Sequence, residues 1–167
     1  MKPFETRRLR FRPLVDGDLA RLHELHGDQA AVRYVTGRAL SLEDTRNRLQ
    51  QYLGDHAEHG FGLCAALLRK VKGKPMIGIC GLQPVVTAAG LEAEGLWLFD
   101  PEHRGQGYAT EFGFAMIPSA FAGKRLRRIF ASCDRSNEPS IRMMQRIGMR
   151  EAKEHGPEGV EFEILDP

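Results

Sequence analysis

The sequence predicts one α+β domain over residues 1–167, with about four helices and a mixed, mostly antiparallel sheet of about seven strands. Two observations predict this class. Some short runs alternate apolar and polar residues, as strands with one buried face do, and other runs repeat apolar residues at helical spacing. Successive strand-like runs are joined by short turns containing Gly and Pro, which indicates antiparallel hairpins. A chain of 167 residues can bury a sizeable core.

The predicted elements begin with a strand and two helices. Residues 9–13 alternate apolar side chains with arginine, so we predict a strand whose arginines face solvent. These arginines are Arg8, Arg10 and Arg12. Leucines at helical spacing predict a helix over residues 16–26. Ser41 and Asp44 form a capping-box pattern that begins a second helix, and Gly60 is placed to end it.

The periodicity changes to that of strands after Gly60. Further strands are predicted over residues 61–68, 76–82, 91–99, 129–133, 151–154 and 160–165. Further helices are predicted over residues 110–121 and 139–147. We expect a β-bulge at Gly95, and we expect Pro118 to kink its helix or to end it early. The predicted order is therefore β-α-α-β-β-β-α-β-α-β-β.

Composition excludes several classes of protein. The net charge of +2 is too small to indicate a nucleic-acid partner. No apolar run approaches the roughly 20 residues of a membrane span, and the N-terminal residues lack the apolar core of a signal peptide. The cysteines lie far apart, mostly in apolar runs, so we predict buried thiols of a cytoplasmic protein rather than disulfides or a zinc site. They are Cys64, Cys80 and Cys133.

A glycine-rich stretch, residues 103–110, lies between a predicted strand and a predicted helix. The first N–H groups of a helix have no partner within it, and Gly105 and Gly107 allow a phosphate to approach the main chain. An ordinary glycine turn that caps a helix is the alternative. A P-loop would require a Lys-Ser/Thr pair at Tyr108-Ala109. A dinucleotide-binding loop would require a small residue at Thr110 and further βαβ units.

The pattern Arg104-x-x-Gly107-x-Ala109 resembles the acyl-CoA pyrophosphate loop of the GNAT N-acetyltransferase superfamily, and the order of elements resembles the fold of that superfamily. Three further stretches resemble its ribosomal-protein N-terminal acetyltransferase branch. They are residues 5–14, Glu94-Gly95-Leu96-Trp97-Leu98, and Asn137-x-x-Ser140-x-Arg142 followed by Ile147-Gly148-Met149. The similarity extends over essentially the whole chain.

The resemblance implies a site for acetyl-CoA. In this superfamily the fourth and fifth strands splay apart and the pantetheine arm lies between them. The resemblance places the arm beside Leu96, Trp97 and Leu98 on one strand and beside Asn137 and Ser140 on the other side. It places the pyrophosphate on the loop that comprises Arg104, Gly105, Gln106, Gly107, Tyr108, Ala109 and Thr110. Arg142 and Arg146 are within reach of the 3′-phosphate. A helix-capping Asn137 and a solvated arginine face are the alternatives, and a capping Asn137 can also bind the arm.

The resemblance also implies the reaction, in which a primary amine attacks acetyl-CoA directly in a ternary complex. The acceptor is a protein N-terminus or a small-molecule amine. Glu94 is the candidate general base, with Glu92 and Asp100 as weaker options. Many members protonate the leaving thiolate with a tyrosine seven residues after the asparagine. Met144 occupies that position and cannot donate a proton. Tyr108 lies within the phosphate loop and is misplaced for this role, so Ser140 is the substitute candidate.

Two alternatives to this interpretation stay open. A non-catalytic acyl-CoA-binding module on the same fold would keep the cofactor site without the chemistry. Histidines three residues apart could bind a metal, but no further close ligand completes either pair, so we predict solvent-facing helix histidines and no metal. The pairs are His23 with His26 and His56 with His59. We expect no membrane and no direct nucleic-acid partner, and either a monomer or a homodimer.

Overall fold

A computed structural model describes residues 3–73, 75–124, 126–155 and 158–166. These residues form an eight-stranded sheet in the order β1-β2-β3-β4-β5-β6-β8-β7. The strands are β1 Phe4–Glu5, β2 Leu9–Pro13, β3 Leu63–Leu68, β4 Met76–Thr87, β5 Gly90–Phe99, β6 Arg128–Asp134, β7 Arg150–His155 and β8 Gly159–Leu165. The helices are α1 Leu19–Gly27, α2 Gln29–Val32, α3 Leu42–His59, α4 Tyr108–Lys124 and α5 Glu138–Arg146.

Helices cover both faces of the sheet, so the core has two halves. On one face, which we call the α4–α5 face, Phe112 and Met143 of these helices pack against apolar strand residues such as Ile129. On the other, the α1–α3 face, Leu22 of α1 and Tyr52 of α3 pack against apolar residues of β3, β4 and β5. Because side chains alternate along a strand, each strand contributes residues to both faces.

Strands β5 and β6 are parallel and separate after a short contact. Their pairing joins Ala93 to Ile129 and Glu94 to Phe130, while β5 continues to Phe99. All other neighbouring strands of the described sheet pair antiparallel. We call the wedge between residues 95–99 of β5 and residues 131–134 of β6 the splay. The expected divergence of these two strands is therefore present.

The predicted class and most of the predicted elements are confirmed, but the element counts differ. The described residues form eight strands and five α-helices, rather than about seven and four. The unpredicted elements are β1 and α2, of two and four residues, which are too short to show a period. Strand β4 runs past the predicted end to Thr87 and includes Pro84. Pro84 is tolerated because β3 pairs with β4 only as far as Gly81, so the missing N–H faces an open edge.

The β-bulge predicted at Gly95 is absent, and of the two outcomes predicted at Pro118 the early end of the helix does not occur. Gly95 forms no bulge against β4, since the β4–β5 register runs without a shift through Leu82 and Gly95. Helix α4 does not end early, because it continues past Pro118 to Lys124. Pro118 has no N–H to donate to the carbonyl of Phe114, but both residues lie on the exposed side of the helix. Neighbouring residues such as Met116 hold the helix against the core.

The capping and thiol predictions are confirmed. Ser41 Oγ accepts a hydrogen bond from the Asp44 N–H at 3.0 Å, Asp44 accepts one from the Ser41 N–H, and Gly60 ends α3 in the left-handed region. The three cysteines are free and buried. Two of the turns predicted between successive strands, after residue 68 and after residue 154, include residues outside the described ranges. Within the described ranges, no helix has the length and apolar character that crossing a bilayer requires.

Candidate active site

The glycine-rich stretch forms a left-handed loop that leads directly into helix α4. Gly105 and Gly107 have φ of 71° and 77°, a region that favours glycine. The helix begins at Tyr108, two residues before the predicted start. Its first hydrogen bond runs from the Glu111 N–H to the Gly107 carbonyl at 3.0 Å. The N–H groups of residues 108–110 therefore have no acceptor within the helix and form a main-chain anion site at its positive end.

Arg8 lies against this loop, although the sequence predicted a solvent-facing side chain. Its Nη1 donates to the Gln106 carbonyl at 2.8 Å, and its guanidinium lies over the Tyr108 ring at 4.6 Å. Its Nε donates to Glu111 at 2.6 Å, and its main-chain N–H donates to the same carboxylate at 2.8 Å. Burial acts to raise the pKa of Glu111, but hydrogen bonds from Thr6 and Arg8 outweigh it and lower the pKa. Glu111 is therefore ionised at neutral pH.

Arg104, the first residue of the loop motif, faces away from the anion site. Its guanidinium donates to the Phe99 carbonyl at 3.1 Å, the Ala30 carbonyl at 3.0 Å and the Ala31 carbonyl at 2.8 Å. These bonds connect the end of β5 to the short helix α2. The Arg104 side chain thus fixes α2 of the α1–α3 face beside the loop.

An apolar cleft extends from the loop into the wedge below β5 on the α4–α5 face. Its cavity volume is about 10 Å³, which is space for about one water, and its lining is apolar. Gly95, Trp97, Ala109, Phe112, Met116 and Met143 are among the lining residues. Gly95 has a steric role here, since a Cβ at this position would lie 3.1 Å from the Trp97 ring. Leu96 and Leu98 lie on the opposite face of the same strand.

Glu94 lies where the two parallel strands begin to separate. It is half-buried, and Phe130 is its partner in the last β5–β6 pair. Its side chain belongs to the α1–α3 face, because Ala93 and Trp97 pack on the α4–α5 face. The weaker candidates are in ion pairs, Glu92 with Arg128 at 3.3 Å and Asp100 with Arg21. Of the three candidate carboxylates, Glu94 is the one at the mouth of the splay.

More charged side chains surround Glu94 on the same face. Arg128 of β6 bridges Glu92, Glu161 and Glu163, with 2.5 Å to Glu163. Lys153 approaches Glu161 at 3.4 Å. Since these residues belong to β5, β6, β7 and β8, the charges join four strands at the end of the sheet beyond α1–α3. Arg150 of β7 is the cross-strand partner of Glu163 and shares this face, so the cluster holds four carboxylates and three cations.

The N-terminus of α5 carries the other candidates for the arm and the leaving group. Asn137 is the N-cap of α5, and its side chain accepts a hydrogen bond from the Ser140 N–H at 3.4 Å. The capping alternative is therefore present, and the Asn137 amide can still donate elsewhere. Ser140 is buried and its hydroxyl is hydrogen-bonded to Cys133, whose pKa is raised because burial outweighs this bond. Met144 is fully buried in the core.

Arg142 and Arg146 lie on the exposed face of α5, as the alternative interpretation expected. They are one turn apart, and Arg142 forms an ion pair with Glu138 at 2.8 Å. This pair is exposed, so its contribution to stability is small and Arg142 can exchange partners readily. The structure therefore leaves both arginines accessible to an anion beside the splay.

The histidine pairs do not form a metal site in the part of the chain described. The one group there with metal-ligand spacing is Asp100 with Glu102 and His103, and Asp100 already pairs with Arg21. The prediction of solvent-facing histidines is wrong for His26, which is 1% exposed. Burial lowers the pKa of His26 to about 4, with smaller contributions from Arg48 and His23, so its imidazole is neutral.

Comparison with known proteins agrees with this geometry. The acetyltransferase (GNAT) domain model matches residues 8–150. An uncharacterised N-acetyltransferase of Bacillus subtilis, YnaD, is 29% identical over 145 residues, which are 87% of this chain and 81% of that protein. A GNAT-family acetyltransferase of Bacillus anthracis has a solved structure with a TM-score of 0.79 and 26% identity, covering 99% of both chains.

The chain belongs to the GNAT acetyltransferase family. It is therefore an acetyltransferase, and acetyl-CoA is the donor that this family uses. The ribosomal L7/L12 alpha-N-protein acetyltransferase RimL, solved in complex with coenzyme A, shares the fold with a TM-score of 0.78 at 16% identity and 98% coverage of each chain. At this identity the likeness shows the fold alone.

Sequence reasoning missed three features of this site. Arg8 is remote in sequence from the loop that it contacts, and its alternation with apolar residues indicated a wet strand face. The use of Arg104 to hold α2 could not be found without α2, which is too short to predict. The Arg128 cluster joins residues that are 33 to 36 positions apart, and no local pattern marks such a contact.

Proposed function

We propose that this protein transfers the acetyl group of acetyl-CoA to a primary amine by direct attack, with Glu94 as the general base. The observation that carries the proposal is the position of Glu94. It stands at the mouth of the splay, where the apolar cleft of the α4–α5 face meets the charged α1–α3 face. A donor held in the splay and an amine on the charged face would meet beside this carboxylate.

The residues present fit the donor. The left-handed glycine loop and the free N–H groups of residues 108–110 suit a diphosphate. The apolar side chains beside the splay, among them Trp97, suit contact with the uncharged pantetheine arm. The β5 edge beyond Glu94 has no strand beside it in the described sheet, so main-chain groups of residues 96–98 can pair with the amides of the arm. Asn137 would contact the arm from α5, and Arg142 and Arg146 would supply charge for the 3′-phosphate.

The chemistry needs few groups from the protein. The amine nitrogen forms a bond to the acetyl carbon while the carbon–sulfur bond breaks, and the proton of the amine passes to Glu94, directly or through water. A main-chain N–H of residues 96–98 would stabilise the developing negative charge on oxygen. A thiolate is a fair leaving group, since thiols ionise near pH 8.5. Ser140, which already bonds Cys133, is therefore at most an auxiliary acid.

The charges of the α1–α3 face favour a cationic amine as the acceptor. In this cluster four carboxylates outnumber three cations, so an ammonium group is attracted to it before it loses its proton. The carboxylates are Glu92, Glu94, Glu161 and Glu163, and the cations are Arg128, Arg150 and Lys153. A protein N-terminus and a small-molecule amine both meet this requirement. The ribosomal-protein branch, the cytoplasmic location, and the choice between a monomer and a homodimer belong to the proposal as well.

The test compares Glu94→Gln with Glu92→Gln on the same face of the same strand. Release of the CoA thiol is followed with a panel of amines and N-terminal peptides, and acetyl-CoA affinity is measured by calorimetry. We expect Glu94→Gln to lower kcat by about 100-fold or more with unchanged affinity for acetyl-CoA, and to remove the acidic limb of the pH–rate profile. Glu92→Gln, which can affect only attraction of the amine, should keep kcat near the wild-type value at saturating acceptor.

Two results would contradict the proposal. Full activity of Glu94→Gln across pH would show that this carboxylate is not the base. Tight binding of acetyl-CoA with no thiol release for any acceptor would favour the alternative, a non-catalytic acyl-CoA-binding module. Thermal melting of both variants checks that any loss does not come from unfolding.

A further inference from the structure

Arg8 contacts the phosphate loop at several points, although it belongs to the N-terminal part of the chain. One of its nitrogens bonds the Gln106 carbonyl, and a Cβ on Gly107 would lie 3.6 Å from another, Nη2. Its plane covers the Tyr108 ring, and Nε bonds Glu111. The guanidinium therefore spans the loop from its middle to the first turn of α4.

The negative charge of Glu111 affects how well the neighbouring loop can bind an anion. It lies in the first turn of α4, and its side chain is 15% exposed. A carboxylate there is favourable for the helix dipole, but it also places a negative charge beneath a site that would bind a diphosphate. Arg8 bonds that carboxylate at 2.6 Å and brings a positive charge to the same place.

We propose that Arg8 is the charged side chain of the diphosphate site: it holds the loop through the Gln106 carbonyl and cancels the charge of Glu111 below the anion. This inference rests on the proposed function, since it specifies how the same loop accepts the donor. The ligand is the diphosphate of acetyl-CoA. The side chain comes from the bend between β1 and β2, while the arginine of the motif, Arg104, serves α2.

The test measures acetyl-CoA affinity by calorimetry in a set of charge variants. Arg8→Gln should bind about tenfold more weakly, since a charged hydrogen-bonding group beside the anion is lost. Arg8→Lys keeps the charge but loses the stack on Tyr108 and the forked hydrogen bonds, so its affinity should lie between those of Arg8→Gln and the wild type. The matched control is Arg10→Gln, since Arg10 lies two residues after Arg8 on β2. Its side chain points to the opposite face from Leu9 and Phe11, so the acetyl-CoA affinity of this variant should be unchanged.

Variants of Glu111 separate charge cancellation from simple support of the fold. Glu111→Gln should bind acetyl-CoA about threefold more tightly, because the uncompensated Arg8 then faces the anion. The double variant Arg8→Gln with Glu111→Gln should bind more tightly than Arg8→Gln alone. Thermal melting without ligand identifies any variant that is unfolded. If Arg8→Gln is unfolded, the affinities of Arg8→Lys and Glu111→Gln test the inference.

Two outcomes would overturn the inference. One is an Arg8→Gln protein that binds acetyl-CoA as tightly as Arg10→Gln does. The other is a Glu111→Gln protein that loses as much affinity as Arg8→Gln, which would mean that the pair merely stabilises the loop. Failure of the wild type to bind acetyl-CoA would instead contradict the proposed function, so the two failures are distinguishable.

Discussion

The two faces that meet at the splay are constructed differently. On the α4–α5 face, the proposed donor site consists of main-chain N–H groups within six consecutive residues and an apolar cleft. On the α1–α3 face, the proposed acceptor site consists of charged side chains from strands β5, β6, β7 and β8. A main-chain site tolerates many side chains but depends on backbone conformation. A side-chain site depends on the identity of each residue, and this difference indicates where the acceptor is chosen.

The largest effect should come from changing the conformation and charge of the loop. Gly107→Glu places a β-carbon at φ of 77° and a carboxylate in the anion site. Repulsion between this carboxylate and the diphosphate costs several kcal/mol, so acetyl-CoA should bind on the order of 1,000-fold more weakly. Calorimetry measures the affinity. Gly73→Glu is the matched control, since Gly73 has φ of 82° in the β3–β4 turn with open space around it.

An unchanged affinity in Gly107→Glu would show that the loop does not bind the donor. A comparable loss in Gly73→Glu would mean that a strained residue, rather than the blocked site, weakens binding. Either result would remove the contrast between the two faces, because the donor site would no longer depend on this main-chain segment.

A smaller effect is expected from pH on the α1–α3 face, where His26 is buried. The unfolded chain binds a proton at His26 with a pKa near 6.5, but the folded protein does so at about 4. Protonation therefore favours the unfolded state, and stability falls as the pH falls from about 6.5 to about 4. The full loss is about 3 kcal/mol. Urea melts of the wild type and of His26→Met at pH 7.5 and pH 4.5 should differ by about 2.5 kcal/mol in their loss of stability, most of the full value.

The difference between the acid losses of stability in the wild type and in His26→Met isolates the effect of His26 from that of carboxylates such as Asp18. In the folded state burial acts to raise the pKa of Asp18, but hydrogen bonds from Arg12 and the Val15 N–H outweigh it and lower the pKa. Asp18 therefore also costs stability in acid, at a lower pH and in both proteins. Equal acid losses in wild type and His26→Met would show that His26 is not the sensitive group.

The contrast between a main-chain site and a side-chain site also explains which features of each face could be predicted from the sequence. The loop was predicted because its determinants, Gly105 and Gly107, are neighbours in sequence and each glycine reports a backbone requirement directly. Arg8 was not predicted, since its partners lie about 100 positions away in the chain. His26 was expected in solvent because helical spacing does not show that a second helix covers that side. Pro118 was expected to kink α4 or to end it early, but the helix continues to Lys124 because tertiary packing on both sides of Pro118 outweighs the local cost.

The most direct measurement of the central claim is amide hydrogen exchange with and without acetyl-CoA. We expect binding to slow exchange in residues 96–98 of β5 and in residues 105–110 of the loop, and to leave β7 and β8 unchanged. Gly107→Glu should show neither effect at the same ligand concentration. Protection of the loop without residues 96–98, or protection elsewhere in the sheet alone, would contradict a donor held in the splay between β5 and β6.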